Sequence, residues 1–167
     1  MELSLIYKWI LQLHSLWSIL TLSLLIFTII KCLYKLSKNK LFTALDLRIA
    51  LFALIFSFFQ FVIGLILYFI SPNLYHWENP INEIFENKIY LFHLVEYPIY
   101  NILGILTISI GWSLFKKAKT NKKKFLRISF FYIIGSFFFF TIIYTTFFTY
   151  TFISSKTKRT CKKYYIV

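Results

Sequence analysis

Four apolar stretches alternate along the chain with short polar segments. A helix that spans a bilayer needs about 20 predominantly apolar residues. The first stretch runs from Trp9 to Ile30 and is closed by Lys31. The second runs from about Leu47 to Ile70, where Ser71 and Pro72 stop it. The third covers about Ile89 to Phe115 and ends at Lys116 and Lys117, and the fourth covers about Phe125 to Ile153. None shows the alternation of a barrel strand, and backbone groups in hydrocarbon must be bonded within the segment, so each is predicted as a helix. The pattern predicts an all-α fold, an integral membrane four-helix bundle, with residues 1–153 as one transmembrane domain (helices 9–30, 47–70, 89–115 and 125–153). Residues 154–167 are polar and lysine-rich and are predicted to form a basic, disordered tail. The first stretch is too long for a signal-peptide core and lacks a small-residue cleavage site, so it is expected to stay attached.

Within the stretches, polar and small residues recur at helical spacing, three, four or seven apart, which places them on one face. The first carries His14, Ser18 and Thr21, and the second Ser57, Gln60 and Gly64. The third carries His93, Glu96, Tyr97, Tyr100, Gly104, Thr107 and Gly111, and the fourth Ser129, Tyr132, Gly135 and Ser136. Such stripes are foremost the glue of membrane helices, since small residues permit close approach and polar ones bond across it. Trp9 and Trp17 read as interface and packing aromatics, Trp112 as an interface anchor at the basic end, and His76 with Trp77 as headgroup-level residues of the second loop.

Composition strengthens this picture. The 167 residues are 59% hydrophobic and 22% aromatic, with a mean hydropathy of +0.69. Only 15% are charged, against about 25% in soluble domains. One core of this size could not hide so much Phe, Ile and Leu. The net charge of +13 raises nucleic acid as a partner. The lysines and arginines, however, sit between the apolar stretches, which fits topology and anionic headgroups and not phosphate-backbone recognition. The expected partners are the lipid bilayer and other membrane protein subunits, with no nucleic acid.

The first loop region holds Lys31, Lys35, Lys38, Lys40 and Arg48, and the third holds Lys116, Lys117, Lys119, Lys122, Lys123, Lys124 and Arg127. The second sets Lys88 against Glu78, Glu83 and Glu86. The positive-inside rule then predicts a multi-pass protein of the cell membrane, of bacterial inner-membrane type, with both basic loops cytoplasmic and both termini outside. The basic tail (Lys156, Lys158, Arg159, Lys162, Lys163) runs against that orientation, but the two loops together outnumber it.

Candidate chemistry rests on the ionisable groups inside the stretches, because such groups are costly in lipid and turn inward to a partner. At about 1.5 Å per residue, His14 and His93 lie roughly 7 Å from the outer helix ends and Glu96 roughly 10 Å. These depths allow a cluster of His14, His93 and Glu96, within a wider polar set that includes Gln60 and Tyr100. Three readings are open. The first is a structural hydrogen-bonded cluster in a non-enzymatic scaffold or accessory subunit. The second is a haem b or quinone site using His14 with His93 or Tyr97, since membrane haem takes two axial ligands at matching depth. The third is a proton or small-ion path through Glu96, His93 and Tyr100. There is no Ser/His/Asp arrangement, phosphate loop or HExxH pattern, so no catalytic residue is assigned. Cys32 and Cys161 belong to no CxxC or Cys/His cluster, so no metal site is signalled.

LHSLW at 13–17, DLRIALFALIFSFFQFVIGLILYFISP at 46–72, LVEYPIYNILGILTISIGWSLFKKA at 94–118 and KKFLRISFFYIIG at 123–135 resemble a family of small, largely uncharacterised bacterial four-helix membrane proteins sometimes labelled cytochrome b-like. The resemblance reaches to about residue 136 and includes the order and spacing of all four helices. By this resemblance the family's first-helix histidine corresponds to His14, the Gln and Gly of its second helix to Gln60 and Gly64, and the carboxylate of its third to Glu96. Two further histidine positions of the family, after the serine of the second helix and after the Val-Glu of the third, are held here by Phe58 and Tyr97. Tyrosine is a less common haem ligand and phenylalanine is none.

Overall fold

A computed structural model describes residues 2–71 and 78–164, with residues 2–4, 89 and 146–164 described by backbone alone. His76 and Trp77 lie outside the described residues, as does the side chain of Cys161. The described chain is helical nearly throughout, and four of its helical segments are long and apolar enough to cross a membrane: Leu5–Ser37, Ala44–Ile70, Phe92–Lys116 and Asn121–Thr145. The order is α1 (Glu2–Ser37), α2 (Ala44–Ile70), two short helices α3 (Ile81–Glu86) and α4 (Lys88–Leu91), a π-helical turn (Phe92–Glu96), α5 (Tyr97–Lys116) and α6 (Asn121–Tyr164).

The helices outrun the apolar stretches because hydropathy marks only the part that suits lipid. Nothing stops the backbone at the first charged residue. α1 passes Lys31 and Lys35 and closes at Asn39, whose φ of 49° is a left-handed conformation that asparagine tolerates. The Lys40 N–H then returns to the Lys35 carbonyl at 3.0 Å. α6 has 44 residues and is therefore about 66 Å long at 1.5 Å per residue. It continues through Tyr164, beyond residue 153 and into the segment predicted to be disordered. The backbone reason is that no glycine or proline occurs after Gly135 to break it.

The long helices pack in the cyclic order α1, α2, α5, α6 and back to α1. The closest of these pairings, α5 with α6, is set by glycines that take side chains from the facing helix. A Cβ at Gly111 would lie 2.4 Å from Phe131 Cβ, and one at Gly135 would lie 2.4 Å from Ile108 Cγ1 and 3.2 Å from the Gly104 carbonyl. Phe139 fills the notch at Gly104. This is close approach through small residues, as expected where lipid supplies no hydrophobic drive between helices. The buried face of α5 is Asn101, Gly104, Ile105, Ile108, Gly111 and Phe115. Thr107 lies off that face and bonds back to its own helix at Leu103 O, 2.7 Å.

Both basic loops meet at one end of the bundle. Phe42, between α1 and α2, packs 5.1 Å from the rings of both Phe115 and Phe125, and Lys124 lies 5.6 Å over the Phe42 ring. Arg127 of α6 donates to the Leu114 carbonyl, in the last turn of α5, where a cation suits the helix dipole. Lys116 sits over Trp112 at 5.6 Å. The exterior is apolar: Ile30, Phe58, Phe130, Phe137 and Phe140 are among many large side chains facing outward.

Candidate functional site

Toward the end away from the basic loops, polar side chains from three helices converge on His14. The Tyr97 hydroxyl of α5 lies 3.1 Å from His14 Nε2. Gln60 Nε2 of α2 lies 3.1 Å from the same nitrogen and 3.3 Å from Nδ1. Gln60 Nε2 also donates to Ser18 Oγ, and Ser18 donates to the His14 carbonyl at 2.9 Å. One turn further along α1, Trp17 Nε1 and Thr21 Oγ1 both donate to the Phe56 carbonyl of α2, at 3.1 and 3.4 Å. The Trp17 ring stacks on Phe56 with centroids 4.8 Å apart.

Local sequence explains how Tyr97 reaches α1. Pro98 has no N–H, so the Leu94 carbonyl four residues earlier has no helical donor. The Tyr68 hydroxyl of α2 supplies one at 3.2 Å. The same interruption is accommodated by the π turn, in which the Tyr97 N–H reaches back five residues to the Phe92 carbonyl. Asn101 then donates to the Tyr97 carbonyl at 2.9 Å. Gly64 completes the fit: a Cβ there would meet His14 Cε1 at 3.1 Å and the Tyr97 hydroxyl at 3.5 Å. Its lack of a side chain lets α2 pass against both.

The π turn also decides which predicted residues meet. In a regular α-helix, residues 93, 96, 97 and 100 share a face. A π turn carries an extra residue, so the helix before it is rotated relative to the helix after it. His93 is left against the Phe92 ring, with centroids 5.2 Å apart, and Tyr100 stacks on Phe138 at 6.4 Å. Among the described residues, no hydrogen bond joins His93, Glu96 and Tyr100 to one another or to His14. Of the predicted polar cluster, the structure brings together His14, Gln60 and Tyr97. Asn101 carried a signal in the sequence, its place three residues after Pro98, whereas Tyr68 lies on α2 and only the fold brings it to the Leu94 carbonyl.

The polar groups line a cleft of about 40 Å³ whose remaining wall includes Leu22, Phe139, Ile142 and Ile143. These residues do not fit a haem. The His14 nitrogen that would face iron is within hydrogen-bonding distance of Tyr97, leaving no gap for a metal and its macrocycle. Phe58 is 55% exposed and faces out of the bundle, so it takes no part in the cleft. Among the described residues, no three His, Cys, Asp or Glu gather as a ligand set.

A second polar site, unpredicted, lies at the basic end. Asp46 is buried, with its Oδ2 accepting from Lys35 Nζ at 2.6 Å and from the backbone N and Oγ1 of Thr43 at 2.8 Å each. Lys31 Nζ stands 3.4 Å from Oδ1. Thr-x-x-Asp before an apolar run is the helix-start signature that could have found it. Halfway along, the Tyr132 hydroxyl of α6 crosses the bundle to the Ala50 carbonyl of α2 at 2.9 Å.

No family model matches this chain, and no curated protein or solved structure does either.

Proposed function

We propose that this chain is a non-enzymatic integral membrane protein, a scaffold or accessory subunit whose polar interior holds the helices in register. The observation that carries this reading is the use made of the reactive side chains. Tyr97 binds across the bundle to His14, Gln60 ties Ser18 of α1 to α2, and Tyr132 ties α6 to α2. The two tyrosine bonds join the helix pairs that are not neighbours in the ring, α5 with α1 and α6 with α2. Each is a cross-brace, the role polar residues most often play between membrane helices.

The setting we propose is the cell membrane, of the bacterial inner-membrane type, with both basic loops cytoplasmic. Lys31, Lys35, Lys38, Lys40, Lys116, Lys117, Lys119, Lys122, Lys123 and Lys124 with Arg48 and Arg127 support it, against the one carboxylate of Asp46 at that end.

A reduced-minus-oxidised absorption spectrum of protein expressed with added haem tests the reading against the electron-transfer alternative. A featureless spectrum is expected. Haem bands that vanish in His14→Ala would overturn it. The orientation is tested by an impermeant amine label added from the periplasmic side, which is expected to leave Lys122, Lys123 and Lys124 unmodified.

A further inference from the structure

The contacts around His14 leave hydrogen-bonding capacity unused, and they leave it beside the cleft. Gln60 is 6% exposed, yet its Oε1 has no partner. Exchanging the two ends of the amide does not remove the deficit. The contacts to Ser18 and His14 all crowd one end, so in either orientation the atom at the other end is unmet.

His14 shows the same shortfall. A single Gln60 nitrogen almost equidistant from both ring nitrogens, at 3.1 and 3.3 Å, cannot lie along the in-plane axis of either. Tyr97 satisfies Nε2, which leaves Nδ1 without an aligned partner. An imidazole that accepts at Nε2 carries its proton on Nδ1, and that proton needs an acceptor. A half-buried imidazole short of an acceptor and a buried amide short of a partner on its free end thus line one small space.

We propose that this cleft is a water-binding site, in which a water accepts from His14 Nδ1 and donates to the free carboxamide oxygen of Gln60. Its size suits that ligand. About 40 Å³ is room for at least one molecule, since a water needs roughly 10–15 Å³ of such volume and two or more polar partners. A second cleft supplies an internal contrast. It holds about 20 Å³ between α2 and α5, beside Gly64, Leu65, Tyr68 and Ile102. There the Tyr68 hydroxyl is already engaged with the Leu94 carbonyl. Asn101 and Tyr97 line both clefts, but among the described residues no fully buried side-chain atom without a partner belongs to the second, so it is expected to stay dry. Hydration is therefore assigned by unused hydrogen bonds and not by space alone.

The test is water-to-protein polarisation transfer by solid-state NMR, on the full chain in vesicles of perdeuterated phosphatidylcholine, with water as the probe. The Gln60 side-chain amide and the His14 ring nitrogens are expected to build up several-fold faster than the Tyr132 ring or the methyl groups of Leu65 and Ile102. Build-up at Gln60 and His14 no faster than at Tyr132 would overturn the site. Leu22→Phe fills the cleft from its apolar side and touches no hydrogen-bonding group, so it is expected to abolish the enhancement. An enhancement that survived this substitution would place the water elsewhere and also overturn the proposal.

Discussion

The bundle contains two buried polar sites, and they are built on opposite terms. At the basic end, Asp46 is charged, with three bonds to one oxygen, while the other has no hydrogen bond and meets its cation, Lys31, at 3.4 Å. At the other end, the His14 site is made of formally neutral groups, and one end of the Gln60 amide goes unmet. The difference follows from the cost of burial. A lone carboxylate out of water is prohibitive, so it persists only where cations and donors surround it. A neutral amide or imidazole costs far less and tolerates a missing partner. The charged site also lies close to the loop, where Lys31 and Lys35 keep partial contact with the outside, at 25% and 17% of their side-chain surface.

This contrast orders the expected effects of substitution, each read as a change in unfolding free energy in detergent micelles. Asp46→Asn keeps the shape and the oxygen that caps Thr43 but leaves Lys31 and Lys35 without their anion. A loss of about 3 kcal/mol is expected, at the low end for a broken buried pair because the lysines can turn outward. Gly111→Ala touches neither polar site and serves as the packing reference. Its Cβ would meet Phe131 Cβ, an atom fixed to its own backbone, so about 2 kcal/mol is expected. Tyr97→Phe removes one cross-brace and is expected to cost about 0.6–1 kcal/mol, the usual worth of such bonds between membrane helices. Gln60→Leu is expected to stay within about 0.5 kcal/mol, because the modest net worth of a neutral amide's hydrogen bonds is offset by the apolar side chain that replaces it. The comparison fails if Gln60→Leu proves as damaging as Asp46→Asn.

Much of the fold was legible because spanning a membrane is a property of a segment. The runs at Trp9–Ile30 and Leu47–Ile70 announced their helices by summed hydropathy, and buried Ser57, Gln60 and Thr21 lie on the stripes read from helical spacing. The ends were less legible. Lys31 and Lys35 end the apolar run but not the helix, and a hydropathy window registers only the first event. The candidate site was half legible. His14, Gln60 and Gly64 were visible, and Tyr97 was visible as one of several options. The failure at His93 and Glu96 came from extending a regular 3.6-residue period through Phe92–Glu96, where Pro98 forces a wider turn.

The sequence alone determined that four helices form, which parts of them suit lipid, and that the basic loops share one end, since each is a sum over neighbouring residues. Only the tertiary structure decided that His14 meets Tyr97 and Gln60, and that Asp46 gathers Lys31 and Lys35 with Thr43. Those contacts depend on how each helix is rotated about its axis. That rotation is fixed by the glycine notches on α5 and α6 and by the π turn at Phe92–Glu96, and it responds to the whole bundle at once.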